Sequence, residues 1–76
     1  MDKQDIRNII ADALGKVSVN DDNSMDNTEE WDSLGHLSIL SAIDNALDGK
    51  ASDLTDLANA DSVGKIIKIL ESNKLI

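Results

Sequence analysis

The sequence predicts a small all-α domain, a bundle of three principal helices with one short helix before the last. Apolar residues recur at helical spacing in three separate stretches. Good N-cap residues stand directly in front of the second and the last of these. The 76 residues carry no repeat, no low-complexity run and no linker, so residues 1–76 are expected to form one domain.

Asp2 to about Val17 reads as the first helix, with Ile6, Ile9, Ile10, Ala13, Leu14 and Val17 on one stripe and charged residues away from it. Gly15 lies near its end and is able to terminate it. Ser18 to Asp32 shows no sustained periodicity and is rich in Asn, Asp, Ser and Thr, which favour local side-chain bonds to the backbone over helix. A loop this long inside a small domain must be functional or pinned by its own apolar residues, here Val19, Met25 and Trp31.

Asp32 and Ser33 are both N-cap residues, and the second helix runs from Ser33 to about Leu47. Ile39, Ile43 and Leu47, with Leu40 and Ala42 beside them, form its inward stripe. Leu37 points away from it and is expected to be exposed near Ser33. Gly49 is the expected left-handed cap. Ser52 or Asp53 is then expected to cap a short helical turn containing Leu54, Leu57 and Ala58. Asn59 to Ser62 breaks it, and Val63, Ile66, Ile67 and Leu70 define the last helix, after which Leu75 and Ile76 either fray or dock.

Composition excludes several classes of function. There is no cysteine, so neither a disulfide nor a thiolate site exists in this chain, and any thiol chemistry must arrive on a cofactor. Residues 1 to 15 fit neither a signal peptide nor a spanning helix, and no apolar run is long enough to span a bilayer, so a cytoplasmic protein without membrane insertion is expected.

The net charge of −8 is unevenly placed. Acids and bases balance before Val17 and again after Gly49. Between them lie Asp21, Asp22, Asp26, Glu29, Glu30, Asp32, Asp44 and Asp48 with no Lys or Arg. Such a field repels nucleic acid, disfavours self-association and so suggests a monomer, and steers basic protein surfaces toward Ser33. A solvated acidic loop that serves solubility alone is the simpler alternative.

The stretch Glu30-Trp31-Asp32-Ser33-Leu34-Gly35-His36-Leu37 is where the acidic loop gives way to the second helix. Ser33 at a helix N-terminus sits where free amides and the macrodipole favour a phosphate on its hydroxyl. Asp32-Ser33-Leu34, preceded by Trp31 and followed by Gly35-His36-Leu37, resembles the attachment motif of acyl carrier proteins, and the order of helices along nearly the whole chain resembles that family too.

The resemblance implies an acyl-carrier-like bundle in which Ser33 bears 4'-phosphopantetheine, transferred from coenzyme A by a phosphopantetheinyl transferase that recognises Asp32 and Leu34 around it. The arm's thiol would then carry acyl or aminoacyl groups as thioesters between loading and acyl-transfer enzymes, with no catalysis by the carrier itself. Leu37, Asp44, Asp48, Glu29 and Glu30 are the expected partner surface, combining charge for steering with a small apolar contact.

Gly35, Ser38, Ser41, Asn45 and Ala46 stand where fatty-acid carriers typically bear acids and a methionine, so the likeness is closer to carriers of specialised pathways, such as polyketide, aminoacyl or surface-saccharide systems, than to bulk fatty-acid synthesis.

Two further patterns are weaker. Ser33 with His36 one turn on lacks the oriented histidine and oxyanion site of a hydrolase. Asp22, Ser24, Asp26, Glu30 and Ser33 fall on ligand positions of an EF-hand frame, yet Asn27 replaces the turn glycine and Ser33 the bidentate glutamate, so no metal site is expected. An unmodified acidic helical interaction module remains the alternative to a carrier.

Overall fold

Each helix begins where a side-chain oxygen takes up one of its first free amides. In the computed structural model, which describes Met1–Ile76, these are α1 (Lys3–Leu14), α2 (Ser33–Ala46) and α3 (Val63–Ser72), with a 3₁₀ turn at Thr55–Asn59 and no β-sheet. Asp2 and Asp5 form a reciprocal capping box on α1, Asp32 caps α2 and Ser62 caps α3.

Helix α1 stops sooner than its apolar pattern suggests. Gly15 takes φ +70°, and the amide of Lys16 turns back to donate to the Ala11 carbonyl at 2.9 Å. Val17 is thereby released from the stripe and stands fully in solvent, whereas Ala11 is buried and Ala13 only half-buried.

The core is aliphatic around a single aromatic ring. Ile6, Ile10 and Leu14 from α1 meet Ile39 and Ile43 from α2 and Val63, Ile66, Ile67 and Leu70 from α3, with Trp31 supplied by the loop. Burying each of these side chains contributes about 1.5–3 kcal/mol. Leu47, just past α2, closes one end, and Leu75 and Ile76 dock against the core rather than fraying, the Leu75 amide donating to the Leu70 carbonyl at 2.9 Å. No helix is long and apolar enough to cross a membrane.

The connection between α1 and α2 is ordered by its own polar side chains. Asn23 Oδ1 accepts from the Asn20 amide, Asn27 Oδ1 accepts from the Ser24 amide, and Asn23 Nδ2 donates to the hydroxyl of Thr28, a residue only 4 % exposed. The loop also lies on the start of α3: Asn23 and Asp21 carbonyls accept from the Val63 and Gly64 amides, and the Met25 amide donates to the Asp61 carbonyl. The first amides of α3 are thus satisfied by the loop. Val19 packs on the core and Trp31 is buried, but Met25 remains exposed and pins nothing.

After α2 the chain turns through a left-handed Gly49 as expected, while the short turn that follows starts differently. Asp48 and Gly49 both take positive φ, and the Gly49 amide donates to the Asp44 carbonyl at 2.8 Å. The short turn starts with Leu54 in the cap position and no side-chain cap. Ser52 does not cap it because its hydroxyl donates to the Gly49 carbonyl.

Arg7 fastens the loop to α1 through two bonds to Asp21, 2.7 Å from Nε and 3.2 Å from Nη2. That guanidinium holds the Asp21 carboxyl below its ordinary value. A carboxyl lowered on folding adds stability above its unfolded pKa, and the contribution is lost as pH falls through the folded value. The stability deficit of Asp21→Asn against wild type should therefore be present at neutral pH and close below the ordinary carboxylate range, as read by urea unfolding at stepped pH. A deficit unchanged by acid would show that the ion pair does not anchor the loop.

Candidate functional site

The first turn of α2 is built from the loop inward. Asp32 Oδ1 accepts from the Gly35 amide at 2.8 Å and its carbonyl accepts from the His36 amide at 2.8 Å, leaving the Ser33 and Leu34 amides without partners. Ser33 is exposed at this open end. The two free N–H groups and the positive end of the helix favour an anion there. The neighbouring carboxylates of Asp32, Glu29 and Glu30, all exposed, oppose it, so the site suits a phosphate tethered covalently better than one bound from solution.

Gly35 is required by packing. A Cβ built there would collide with the Glu30 carbonyl oxygen and lie 3.1 Å from Leu14 Cδ2. The loop backbone can cross the first turn only over a residue without a side chain.

His36 is not the open first-turn residue that its position suggests. It is half-buried, and its ring stacks on Trp31 with centroids 6.2 Å apart. Trp31 Nε1 can only donate, so His36 Nδ1 accepts at 3.1 Å; Nε2 then carries the proton and donates to the Ala58 carbonyl at 3.1 Å. One imidazole ties the loop, α2 and the 3₁₀ turn together next to Ser33. With both ring nitrogens engaged, it is not available to activate the serine.

Leu34 and Leu37 are 75 % and 62 % exposed. They stand on the outer face of α2 one turn apart, Leu34 directly after Ser33. Asp48, Glu29 and Glu30 are exposed as well, Glu30 within 3.5 Å of Lys16. Asp44 is half-buried instead. It lines an open groove of about 510 Å³ between α2 and residues 51–58, whose wall includes Leu37, Leu40, Ala51, Leu54, Leu57 and Ala58. Ile39, Ile43, Ile66 and Ile67 are closed in the core and do not reach this groove.

The acidic loop gathers no group of three His, Cys, Asp or Glu side chains able to hold a metal ion. Its asparagines are engaged in the loop's own bonds, and Asp21 in its pair with Arg7. The partnership of His36 with Ala58 and the fit of Glu30 over Gly35 have no signature in spacing or composition, since both depend on how the loop folds back.

No family model matches the chain, and neither curated proteins nor solved structures yield a significant match.

Two outcomes follow from this geometry. Gly35→Ala should destabilise the domain by about 1–3 kcal/mol in chemical denaturation, as overpacking against fixed backbone does; wild-type stability would mean the loop moves aside freely. Trp31→Phe and His36→Ala should each lose stability with a coupling of about 1 kcal/mol in a double-mutant cycle, and ring-nitrogen chemical shifts should report the proton on Nε2. Additive losses, or a proton on Nδ1, would contradict the clamp.

Proposed function

We propose that the protein is a carrier of the acyl carrier type, in which Ser33 holds 4'-phosphopantetheine through a phosphodiester and the arm's thiol holds an acyl or aminoacyl group as a thioester. The observation that supports this most is Ser33 itself: exposed, first in its helix, with its own amide and that of Leu34 unpartnered, and with an apolar groove opening one turn further along. The resemblance of Asp32-Ser33-Leu34 and its flanks to the carrier motif points the same way.

On this reading the domain performs no catalysis. A phosphopantetheinyl transferase moves the arm from coenzyme A: the Ser33 hydroxyl attacks the pantetheine-side phosphorus, the phosphoanhydride bond breaks, and adenosine 3',5'-bisphosphate leaves as the hydroxyl proton is lost to solvent, with Asp32 and Leu34 in contact with that enzyme. Loading and acyl-transfer enzymes then meet Leu37 and Leu34, framed by Glu29, Glu30, Asp48 and the rim at Asp44. The charge provides steering and the two leucines provide register. Such docking is weak and brief, as a carrier that visits several partners requires. The protein would act as a cytoplasmic monomer, in a specialised pathway rather than in bulk fatty-acid synthesis.

A second reading is an unmodified acidic interaction module, which the exposed Leu34 and Leu37 beside so many carboxylates also fit. Intact mass separates the two. Incubation with coenzyme A, magnesium and a broad-specificity phosphopantetheinyl transferase should add about 340 Da to the wild type and nothing to Ser33→Ala. No gain in the folded wild type, with a known carrier modified in parallel, would favour the adaptor.

A further inference from the structure

The segment that joins α2 to α3 is fastened to the rest of the molecule by very little. Every hydrogen bond of residues 51–60 closes within the segment or on Gly49, with one exception: His36 Nε2 donates to the Ala58 carbonyl at 3.1 Å. No ion pair reaches these residues. Apart from apolar packing through Ala51, Leu54, Leu57 and Ala60, that imidazole alone ties the 3₁₀ turn to α2.

This tie depends on the state of the ring's other nitrogen. Nδ1 accepts from Trp31 Nε1 at 3.1 Å, and an indole N–H can only donate. A proton added to the ring goes to Nδ1, because Nε2 already carries one. Two donors would then face each other at hydrogen-bond distance, beside a tryptophan only 1 % exposed that has no acceptor to offer. Imidazole is a rigid plane, so turning Nδ1 off Trp31 also draws Nε2 off Ala58.

The surroundings give the cation other partners. The charged side chains of the elements packed about His36 are Asp32 at the cap of α2, Asp44 further along that helix, Glu29 and Glu30 in the loop, Asp56 on the turn and Asp61 before α3. The bases nearest them are engaged, Lys65 with Asp61 at 2.7 Å and Lys16 with Glu30 at 3.5 Å. Asp61 lies within electrostatic reach of the ring: its carboxyl is held below the ordinary value first by the bond from Lys65 and, to a lesser extent, by a charge on His36.

We infer that His36 is a pH-sensitive latch. Neutral, it binds the loop, α2 and residues 51–60 together; protonated, it leaves Trp31 and Ala58, and residues 51–60 come loose from α2 while α1, α2 and α3 stay packed. His36 is the only histidine of the chain, and no other side chain in it ordinarily titrates near neutrality. The latch works whether or not Ser33 is modified.

Nitrogen-15 NMR of the whole protein, titrated from about pH 8 to about pH 5, reads latch and segment together. The His36 ring nitrogens should pass from the neutral Nε2–H form to the doubly protonated one, and the backbone amides of Leu54, Leu57 and Ala60 should shift with the same midpoint. Hydrogen-exchange protection of those amides, corrected for the intrinsic rate at each pH, should fall about three- to tenfold across the midpoint, as the loss of one hydrogen bond of ordinary net strength predicts. Ile10 and Ile67 should keep theirs. In His36→Gln, which does not titrate, the amides of Leu54, Leu57 and Ala60 should show no such step.

The match of ring and amide midpoints in the wild type decides the matter even where that variant fails to fold. A ring that titrates while the amides stay still, amides that move at a different midpoint, or a step retained in folded His36→Gln would each overturn the latch. So would a ring that stays neutral to the acid end of the titration in the folded protein.

Discussion

The chain from α1 can cross the first turn of α2 only because position 35 has no side chain. The Glu30 carbonyl occupies the space that a Cβ would need, and Leu14 Cδ2 lies 3.1 Å from the same position. This contact sets the end of α1 against the start of α2. With the loop held there, Trp31 turns inward to fill the aliphatic core, Asp32 is left at the cap position, and Ser33 is directed outward. The exposure of the serine and the burial of the tryptophan two residues before it are thus consequences of a single close approach.

Much of this architecture is legible in the sequence because it follows from periodicity. Val63, Ile66, Ile67 and Leu70 are all buried, as their spacing requires, and Ile39 and Ile43 form the inner face of α2, continued by Leu47 just past its end, with Leu37 left outside. Capping chemistry likewise fixes the starts of α2 and α3. What spacing does not carry is the competition among local bonds. Gly15 ends α1 before Val17 can join the stripe, and the Ser52 hydroxyl turns back to Gly49 rather than forward to the short turn. Gly35 looks like an absent acid when only the helix surface is considered, although it is a steric requirement imposed by a loop distant from it in pattern.

The candidate site is legible to a different degree. Its centre, Asp32-Ser33-Leu34, is visible as a boundary between two kinds of sequence. Its surroundings are not, because they depend on tertiary contacts: His36 bonded to Ala58, and Asp44 drawn to the wall of a groove rather than standing on an open face. The acidic segment also proves to be two populations. Asp21 is bound to Arg7 and serves the fold, while Glu29, Asp32 and Asp48 remain in solvent and project the negative field beside the serine. Charge counting alone treats them as one.

Trp31 is the one aromatic side chain among the 76 residues, and it stacks on an imidazole a single turn from Ser33. The molecule therefore has one intrinsic chromophore, free of competing tyrosine or phenylalanine, situated against the very turn whose state matters. Its emission wavelength and lifetime respond to its own surroundings, the aliphatic core on one side and the His36 imidazole on the other, so a rearrangement of that clamp registers optically with no label introduced.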